Sequence, residues 1–320
     1  MTRVTAPSRL HFGLLSLPAA GPDRWPGIDG QPGLPVRHFG GIGLMVDRPG
    51  LAVRVEPAED WAAAGPLAER ALGFARRVVG TLPPGERRPF RVTVEHAPAE
   101  HTGLGVGTQL GLALAKAVAV ETGHLGWRAA ELAVRAGRGE RSAIGIHGFE
   151  GGGLVVEGGK RPGEAISPLV ARLSFPADWA VLVCTPPGDT AWHGGRERQA
   201  FARLSEIGPS GTETEALCRV ALTGLLPALA AADLEGFGEA VYEFNARAGD
   251  AFAPAQGGRY AGPAVAALVA RLRGLGVKGV GQSSWGPTVF AVVRGDEAEA
   301  IRAELADVPA VVAGGSSGVA

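Results

Sequence analysis

The spacing of apolar residues divides the first part of the chain into strands and one amphipathic helix. Leu67 to Thr81 places apolar residues at helical spacing and arginines on the opposite face, which predicts a helix. Phe90 to Glu95 alternates apolar and polar residues, as a half-buried strand does. Further strands are predicted at Val4–Leu17, Gly40–Val46, Leu51–Glu56 and Leu154–Glu157. Residues 47–50 would form a turn that joins Gly40–Val46 and Leu51–Glu56 as a strand pair. The segment 18–35 is dense in Gly and Pro and would be a loop.

An almost wholly apolar helix is predicted in the middle of the chain, from Thr108 to Thr122. Thr108 could cap its start, and Gly123 could end it. Because the side chains of this helix are apolar on nearly every face, we expect it to be buried. A short helix at Glu131–Gly137 follows, and then a glycine-dense segment, residues 137–153, that we predict to be irregular.

The second half of the chain alternates strands and helices after a boundary at residues 160–175. Strands are predicted at Trp179–Cys184, Val289–Val293 and Val308–Ala313. Helices are predicted at Glu197–Leu204, Glu213–Ala231 (one long helix or two), Leu234–Arg247, Val265–Leu275 and Glu297–Leu305. This order predicts an α+β fold of two domains, residues 1–165 and 175–320.

The charge balance argues against broad binding to nucleic acids or membrane surfaces, which requires an excess of one sign. The chain carries 31 basic and 32 acidic residues, a net charge of −1. Its two cysteines are too few for a disulfide framework or a zinc site. The N-terminus lacks a signal pattern, and no apolar run approaches the ~18 residues of a membrane span. We therefore predict a soluble, cytoplasmic protein.

A polar, glycine-rich turn at residues 279–288 leads into a β-branched strand and is the most informative segment of the chain. Its glycines allow the backbone to approach a ligand closely, and its polar side chains are those of Gln282, Ser283 and Ser284. Such a turn predicts a grip for an anion. Since lysine occurs only at positions 116, 160 and 278, a phosphate clamp here must use mainly arginine and backbone amides.

A second glycine loop, Gly103 to Gln109, precedes the predicted buried helix. Gly103, Gly105 and Gly107 would let backbone amides converge, and the helix N-terminus adds a partial positive charge. The loop is neither a Walker sequence nor a dinucleotide fingerprint. The alternative is a tight strand-to-helix turn that binds nothing.

The glycine-dense segment 137–153 carries two arginines, Arg138 and Arg141, together with Glu140, Ser142 and His147. Arginine forks suit phosphate or carboxylate groups. The alternative is a mobile surface loop with solvated charges.

A fourth polar segment follows the apolar strand that ends at Cys184. It contains Asp189, His193 and Glu197, and a His and a Glu four residues apart could perform acid–base chemistry or hold a metal. The alternative is an ordinary helix start, with Glu197 in its first turn.

Together these loops resemble the GHMP superfamily of galactokinase, homoserine, mevalonate and phosphomevalonate kinases. The matching segments are residues 7–14 (PSRLHFGL), 103–108 (GLGVGT) and 282–290 (QSSWGPTVF). Within the superfamily the chain is most similar to the β-ribofuranosylaminobenzene 5'-phosphate synthase family, through residues 40–47 (GGIGLMVD), 108–109 (TQ), 141–145 (RSAIG), 149–153 (FEGGG) and 282–288 (QSSWGPT). The resemblance implies an N-terminal mixed α/β domain that carries the phosphate loop and a C-terminal ferredoxin-like α+β domain.

The resemblance also implies an activity, a decarboxylating phosphoribosyl transfer in methanopterin biosynthesis. A glycosyltransferase of this kind joins phosphoribosyl pyrophosphate to 4-hydroxybenzoate or 4-aminobenzoate and releases CO2 and pyrophosphate. Mg²⁺ and a homodimer are implied, and ATP is not expected. The chain departs from the kinase pattern, because no proline stands four residues before Gly103 and Thr108-Gln109 replaces the usual serine pair. An ATP-dependent small-molecule kinase is the alternative, and a non-catalytic ligand-binding regulator is a third.

On this hypothesis the candidate residues fall into three groups, and the loops that carry them form walls of one shared site. The phosphate and substrate groups are Arg9, Gly103, Gly105, Gly107, Thr108, Gln109, Arg138, Arg141, Ser142, Gln282, Ser283 and Ser284. The candidates for holding or deprotonating the aromatic hydroxyl are His193, His147 and Glu197, and those for Mg²⁺ are Asp47, Glu140 and Asp189. Arg9 is the candidate for holding the benzoate carboxylate.

Overall fold

A computed structural model describes residues 1–17, 24–187, 199–200, 204 and 211–319. Its first unit is built on a six-stranded sheet. The strands are β1 (Thr2–Leu14), β4 (Gly41–Pro57), β5 (Ala62–Ala64), β6 (Phe90–His96), β7 (Leu154–Glu157) and β8 (Leu169–Leu173), in the order β5-β6-β4-β7-β8 with β1 paired to β4. Two short strands, β2 (Arg24–Pro26) and β3 (Pro32–Pro35), form a separate hairpin in the segment predicted to be a loop.

The strand pair predicted around residues 47–50 is instead one continuous strand, β4. β1 runs antiparallel to both of its halves, and the register passes from Ala6–Leu51 to Ser8–Val46. Residues 47–50 therefore bulge out opposite Pro7. Proline has no N–H group to contribute to a ladder, so the sheet loses little by breaking its pairing there.

Four helices cover one face of this sheet. They are α1 (Ala68–Gly80), α2 (Val106–Glu121), α3 (Ala129–Arg135) and α4 (Ile144–Gly151), with a short 3₁₀ turn at Pro84–Glu86 after the first. The apolar α2 is buried along most of its length, as its sequence predicted. The prediction that Thr108 caps it was wrong, because Gly105 occupies the N-cap and Thr108 lies in the first turn. Gly123, with a φ of 81°, follows the helix end as expected.

The glycine-dense segment after α3 was predicted to be irregular. That prediction was wrong for residues 144–151, which form α4. Ile144, Ile146 and Phe149 are buried in the core. The glycines between them permit close packing, because a Cβ atom at Gly145 would lie 2.9 Å from the Gln109 amide nitrogen. Burial of these apolar side chains outweighs the low helix propensity of glycine.

The second unit is a four-stranded antiparallel sheet flanked by helices. Its strands, β9 (Trp179–Cys184), β10 (Gly279–Gln282), β11 (Val289–Arg294) and β12 (Ala310–Ala313), lie in the order β10-β11-β9-β12. Its helices are α5 (Gly211–Val220), α6 (Leu226–Ala230), α7 (Leu234–Gln256), α8 (Pro263–Gly274) and α9 (Ala298–Ala303), with a π turn at Ala221–Leu225 between the first two. The α+β class is therefore confirmed, and none of the described helices is long and apolar enough to cross a membrane.

The packing of β9 explains why every residue of this strand is apolar. Trp179, Val181 and Val183 face a core shared with α7 and the first sheet, whereas alternate residues face α8. Both faces of the strand are thus covered, which removes the alternation of a half-exposed strand. β10 was missed because its glycines suggested a turn, and α7 extends nine residues past the predicted Arg247. The helix predicted at Glu197–Leu204 lies mostly outside the described residues.

The two units are joined at both ends of the second one. β8 lies in the connecting segment and pairs with β7 of the first sheet. After β12 the chain returns to the first unit, where the Ser316 amide donates to Met45 O at 2.9 Å and the Val319 amide to Phe149 O at 2.6 Å. Gly315 also forms an isolated bridge with Val46. Residues 314–319 therefore pack against β4 and α4 of the first unit.

Candidate active site

A cleft of about 400 Å³ lies between the two units. Its walls come mainly from β1, the glycine loop before α2, the loop between α3 and α4, the second half of α7, and the turn between β10 and β11, with Arg70 of α1 and Arg259 after α7 also lining it. Sequence positions from 9 to 286 thus converge on one cavity. Three of the four polar loops singled out from the sequence lie here.

The two glycine loops meet backbone to backbone. A Cβ atom at Gly103 would overlap the carbonyl of Ser283, and one at Gly286 would overlap the backbone of Thr102 and Gly103. The Ser283 hydroxyl lies in the same contact, donating to Gly103 O at 2.8 Å and accepting from the His11 amide at 3.0 Å. Only glycine permits this approach, so the β10–β11 turn and the α2 loop form one wall of the cleft.

The start of α2 is directed at this wall. Gly105 adopts a φ of 71°, which turns the chain into the helix, and no described side chain caps the helix. The first amides of the helix therefore remain available to an anion, with the helix dipole favouring negative charge.

Arginine dominates the charge of the cleft, and one of these arginines, Arg259, is paired with Asp250 of α7. Five arginines and two glutamates line the cavity: Arg9, Arg70, Arg138, Arg141, Arg259, Glu100 and Glu140. Arg70 forms an ion pair with Glu100, and Arg138 Nη2 donates to Thr108 Oγ1 at 3.2 Å. Burial lowers the pKa of the Arg70 guanidinium from its usual value. The cleft thus carries a net positive charge beside the helix N-terminus.

A buried carboxylate fixes the arginine loop. Glu157 on β7 has no exposed surface and accepts hydrogen bonds from the Ser142 hydroxyl at 2.6 Å and the Ala143 amide at 2.7 Å. Burial raises the pKa of Glu157, while these donors oppose that shift. The contacts hold the chain directly after Arg141, so the loop has a defined path into the cleft. Sequence reasoning missed this role, although an acid at the end of an apolar strand was a visible signal.

The other end of the cleft is apolar. Phe252 and Trp285 meet edge to face with ring centroids 5.0 Å apart, and Leu14 packs in the same cluster. Each of these residues is less than 9 % exposed. An edge-to-face pair with an adjacent aliphatic residue suits a flat aromatic ligand. The cleft therefore combines an anion-binding end and an aromatic-binding end.

Asn245 on α7 ties the cleft walls together. Its Nδ2 donates to Phe12 O at 2.7 Å and Gln282 O at 2.8 Å, and its Oδ1 accepts from the Gln282 amide at 2.9 Å. One side chain thus satisfies backbone groups of α7's two neighbours, β1 and β10.

Removing this bridge should destabilise the protein. Asn245→Ala strands three buried backbone groups, each worth roughly 1 kcal/mol or more, so we expect a loss of about 3 kcal/mol in the free energy of unfolding in urea. Thr223→Ala removes only an exposed bond within one helical stretch and should change stability by about 0.5 kcal/mol or less. Equal stabilities for the two variants would mean that Asn245 does not bridge these elements.

The structure brings most predicted binding residues into the cleft, together with the predicted metal ligand Glu140: Arg9, Gly103, Gly105, Gly107, Thr108, Arg138, Arg141, Ser142, Gln282 and Ser284. Two predicted contacts do not line it. Gln109 is buried and donates to Gly145 O at 2.8 Å, and Ser283 has no exposed surface. Both polar side chains hold the loops rather than face a ligand.

Of the other predicted acid–base and metal-binding residues, two lie outside the cleft and three lie outside the described residues. His147 lies outside the cleft, where its ring donates to Ser167 O at 2.7 Å, and burial lowers its pKa. Asp47 also lies outside the cleft. Its carboxylate accepts a hydrogen bond from the Gly314 amide at 2.7 Å. The structure therefore does not bring His147 and Asp47 together with the other predicted site residues. Asp189, His193 and Glu197 lie outside the described residues.

Several cleft residues had no predicted role. Arg70, Phe252 and Arg259 come from helices or loops whose sequences carry no ligand signal. His11 lies in a segment quoted for the family resemblance, and its alternation with Arg9 along β1 could have marked it as facing the same side.

Comparisons with known proteins agree with the observed fold. The family described as "GHMP kinases C terminal" matches residues 225–310. Among solved structures, a homoserine kinase from Cytophaga hutchinsonii superposes with a TM-score of 0.67 at 16% identity, covering 99% of this chain and 96% of the kinase. At that identity the likeness shows a shared fold.

Two archaeal relatives match nearly the whole chain, and both are named beta-ribofuranosylphenol 5'-phosphate synthase. The protein of Methanothermobacter thermautotrophicus is 32% identical over 311 residues, covering 90% of this chain and 88% of its own length. That of Archaeoglobus fulgidus is 29% identical, covering 91% of this chain and 88% of its own. Similarity at this level across both units confirms the predicted family, and the chain belongs to the beta-ribofuranosylphenol 5'-phosphate synthase family of the GHMP superfamily.

Proposed function

We propose that this protein joins phosphoribosyl pyrophosphate to 4-hydroxybenzoate, releasing CO2 and pyrophosphate, as a pentosyltransferase of methanopterin biosynthesis. The observation that carries the proposal is the division of the cleft into an arginine- and glycine-lined end and an aromatic end. A highly charged donor and a flat aromatic acceptor would meet where the two ends join. The named relatives support this reading.

The donor's pyrophosphate would lie at the charged end. The open start of α2 supplies amides, and Arg138 and Arg141 supply guanidinium groups from the facing loop. Departure of pyrophosphate concentrates negative charge on the leaving oxygen, and fixed donors of this kind stabilise such charge. Glu157, through Ser142 and Ala143, holds the loop that carries Arg141.

The aromatic acid would lie between Leu14, Phe252 and Trp285. The relatives are named for a ribofuranosylphenol, which contains a hydroxyl rather than an amine. We therefore favour 4-hydroxybenzoate over 4-aminobenzoate as the acceptor.

The reaction balances without an added oxidant or net proton transfer. The ring carbon that bears the carboxylate forms the new bond to the anomeric carbon, and pyrophosphate leaves with the electron pair of the broken C–O bond. The bond to the carboxylate then breaks, its electron pair returns to the ring, and CO2 departs. The para hydroxyl retains its proton overall, so a residue such as His193 or Glu197 would be required only to hold it or to remove the proton transiently.

The donor set of the cleft fits Mg²⁺, which is commonly bound by one or two carboxylates together with substrate phosphates. Glu140 is an exposed carboxylate on the cleft wall, and Glu100 is already paired with Arg70. No cluster of three metal-ligating side chains occurs in the described part of the chain, so phosphate oxygens would complete the shell. Glu140 would hold the ion, which would neutralise pyrophosphate charge.

An ATP-dependent kinase is the less favoured alternative. The chain lacks the proline and the serine pair of the kinase loop, and its relatives over 90% of its length are named as synthases. The likeness to homoserine kinase extends to the fold alone. We also propose a cytoplasmic homodimer, as the family resemblance implies, and light scattering after size-exclusion chromatography tests the dimer.

The decisive experiment supplies purified protein with Mg²⁺, phosphoribosyl pyrophosphate and carboxyl-labelled 4-hydroxybenzoate. We expect labelled CO2 and pyrophosphate in equal amounts, and neither product when 4-hydroxybenzoate is omitted. Parallel reactions with 4-aminobenzoate measure the acceptor preference, and reactions with ATP and small alcohols test for a kinase. Absence of CO2 from both benzoates would reject the proposed function.

A further inference from the structure

His11 is a polar side chain with an unusual position in the cleft. It lines the cavity and is only 5 % exposed. Its main chain is fixed, since the amide donates to Ser283 Oγ at 3.0 Å and the carbonyl accepts from the Ser284 amide at 3.1 Å. Its ring nitrogens make no hydrogen bond to any residue in the described ranges. An imidazole that lines a cleft and has no protein partner for its ring nitrogens can form a hydrogen bond to a ligand there.

The ring lies where the two ends of the cleft join. On β1, Arg9 precedes His11 on the charged side and Leu14 follows it on the apolar side. The ring packs over Gly41, since a Cβ atom placed there would lie 3.3 Å from Cε1. Gly41 pairs with Leu14, so the imidazole leans away from Arg9 and toward the aromatic end.

The imidazole is neutral in this setting. Burial lowers the pKa of His11 well below 6.5, and the neighbouring Arg9 charge lowers it further. A neutral ring retains one N–H donor, so it can bind a carboxylate without adding a full positive charge.

We propose that His11 donates a hydrogen bond to the carboxylate of the aromatic acid and holds it at the junction of the cleft until it leaves as CO2. This inference rests on the proposed function. The carboxylate is bonded to the ring carbon that attacks the anomeric carbon, so it must lie where the charged and aromatic ends meet. His11 therefore takes the role that the sequence assigned to Arg9.

The strength of the grip matters to the chemistry. Decarboxylation removes negative charge from the carboxylate, so a guanidinium would stabilise the bound acid more than the transition state. A neutral donor orients the group and opposes its departure less. The apolar residues at the aromatic end of the cleft favour neutral CO2 over the charged carboxylate.

Three substitutions separate this role from a structural one. His11→Ala removes the donor and should raise KM for 4-hydroxybenzoate roughly ten- to hundredfold, with KM for phosphoribosyl pyrophosphate unchanged. His11→Gln keeps a neutral donor and should recover most of the loss. His11→Lys adds a cation and should bind the acid at least as well as wild type, while kcat falls about a hundredfold or more.

The contrary outcomes are equally definite. Wild-type kinetics in His11→Ala, a change in KM for phosphoribosyl pyrophosphate alone, or wild-type kcat in His11→Lys would each overturn the proposal. Thermal melts check folding, and if the lysine variant does not fold, the comparison of alanine with glutamine decides.

A binding measurement keeps this test independent of turnover. In calorimetry with Mg²⁺ and pyrophosphate, wild type should bind 4-hydroxybenzoate more tightly than phenol, and His11→Ala should reduce that preference about tenfold or more. An inactive wild type that retains this preference would reject the proposed reaction but support the carboxylate contact. Equal preference in both proteins would reject the contact itself.

Discussion

Replacing Gly286 with alanine is expected to disable the protein by forcing apart the two loops that form the cleft wall. The new Cβ atom would overlap the backbone of Thr102 and Gly103. Neither side can withdraw easily, since the Thr288 amide donates to Thr102 O at 3.3 Å and Ser283 Oγ donates to Gly103 O. Overpacking of this kind costs about 3 kcal/mol or more, and displacement of the wall by about 1 Å should lower kcat/KM roughly a hundredfold.

Urea unfolding and steady-state kinetics measure the two effects. Gly73→Ala is the matched control, because Gly73 lies in the middle of α1 with no atom near the position of a Cβ. That change should stabilise the protein by up to about 1 kcal/mol and leave turnover unaltered. If Gly286→Ala behaved like the control, the two loops would not be in backbone contact.

Arg141→Ala is expected to remove nearly all turnover while the fold survives. Arg141 lines the charged end of the cleft on a loop that Glu157 anchors one residue later. Loss of a guanidinium that neutralises departing pyrophosphate should lower kcat by about 10²- to 10³-fold. Arg141→Lys should recover only part of this, because lysine cannot bind phosphate bidentately.

The control for charge removal is Arg302→Ala on α9. Arg302 forms an exposed ion pair with Glu299 at 2.6 Å and does not line the cleft, so both activity and melting temperature should stay near wild type. Wild-type activity in Arg141→Ala would exclude Arg141 from the site. Loss of the folded state in that variant would show instead that the loop is structural.

Glycine was the most reliable signal in the sequence, because it reports a backbone requirement that is local. Gly103, Gly105 and Gly286 were all singled out, and the structure uses each for a close approach or a positive φ. The overall α+β order was equally accessible, since periodicity alone distinguished most helices from strands.

Polar side chains were harder to interpret from sequence. Ser283 and Ser284 are adjacent and chemically identical, yet Ser283 is buried in the contact between loops and Ser284 lines the cleft. A polar residue needs a hydrogen-bond partner, and the sequence does not reveal whether that partner is protein or ligand. His11 and Glu157 owe their positions to the registers of β1 and β7, which depend on contacts between distant parts of the chain.

The return of residues 314–319 to the first sheet has a consequence for how the protein is made. A ribosome delivers the N-terminal unit first, but Met45 and Phe149 receive their backbone partners only when Ser316 and Val319 emerge. Contacts of such long sequence separation form late and slow folding. The nascent first unit therefore remains incompletely paired until residues 314–319 have been synthesised.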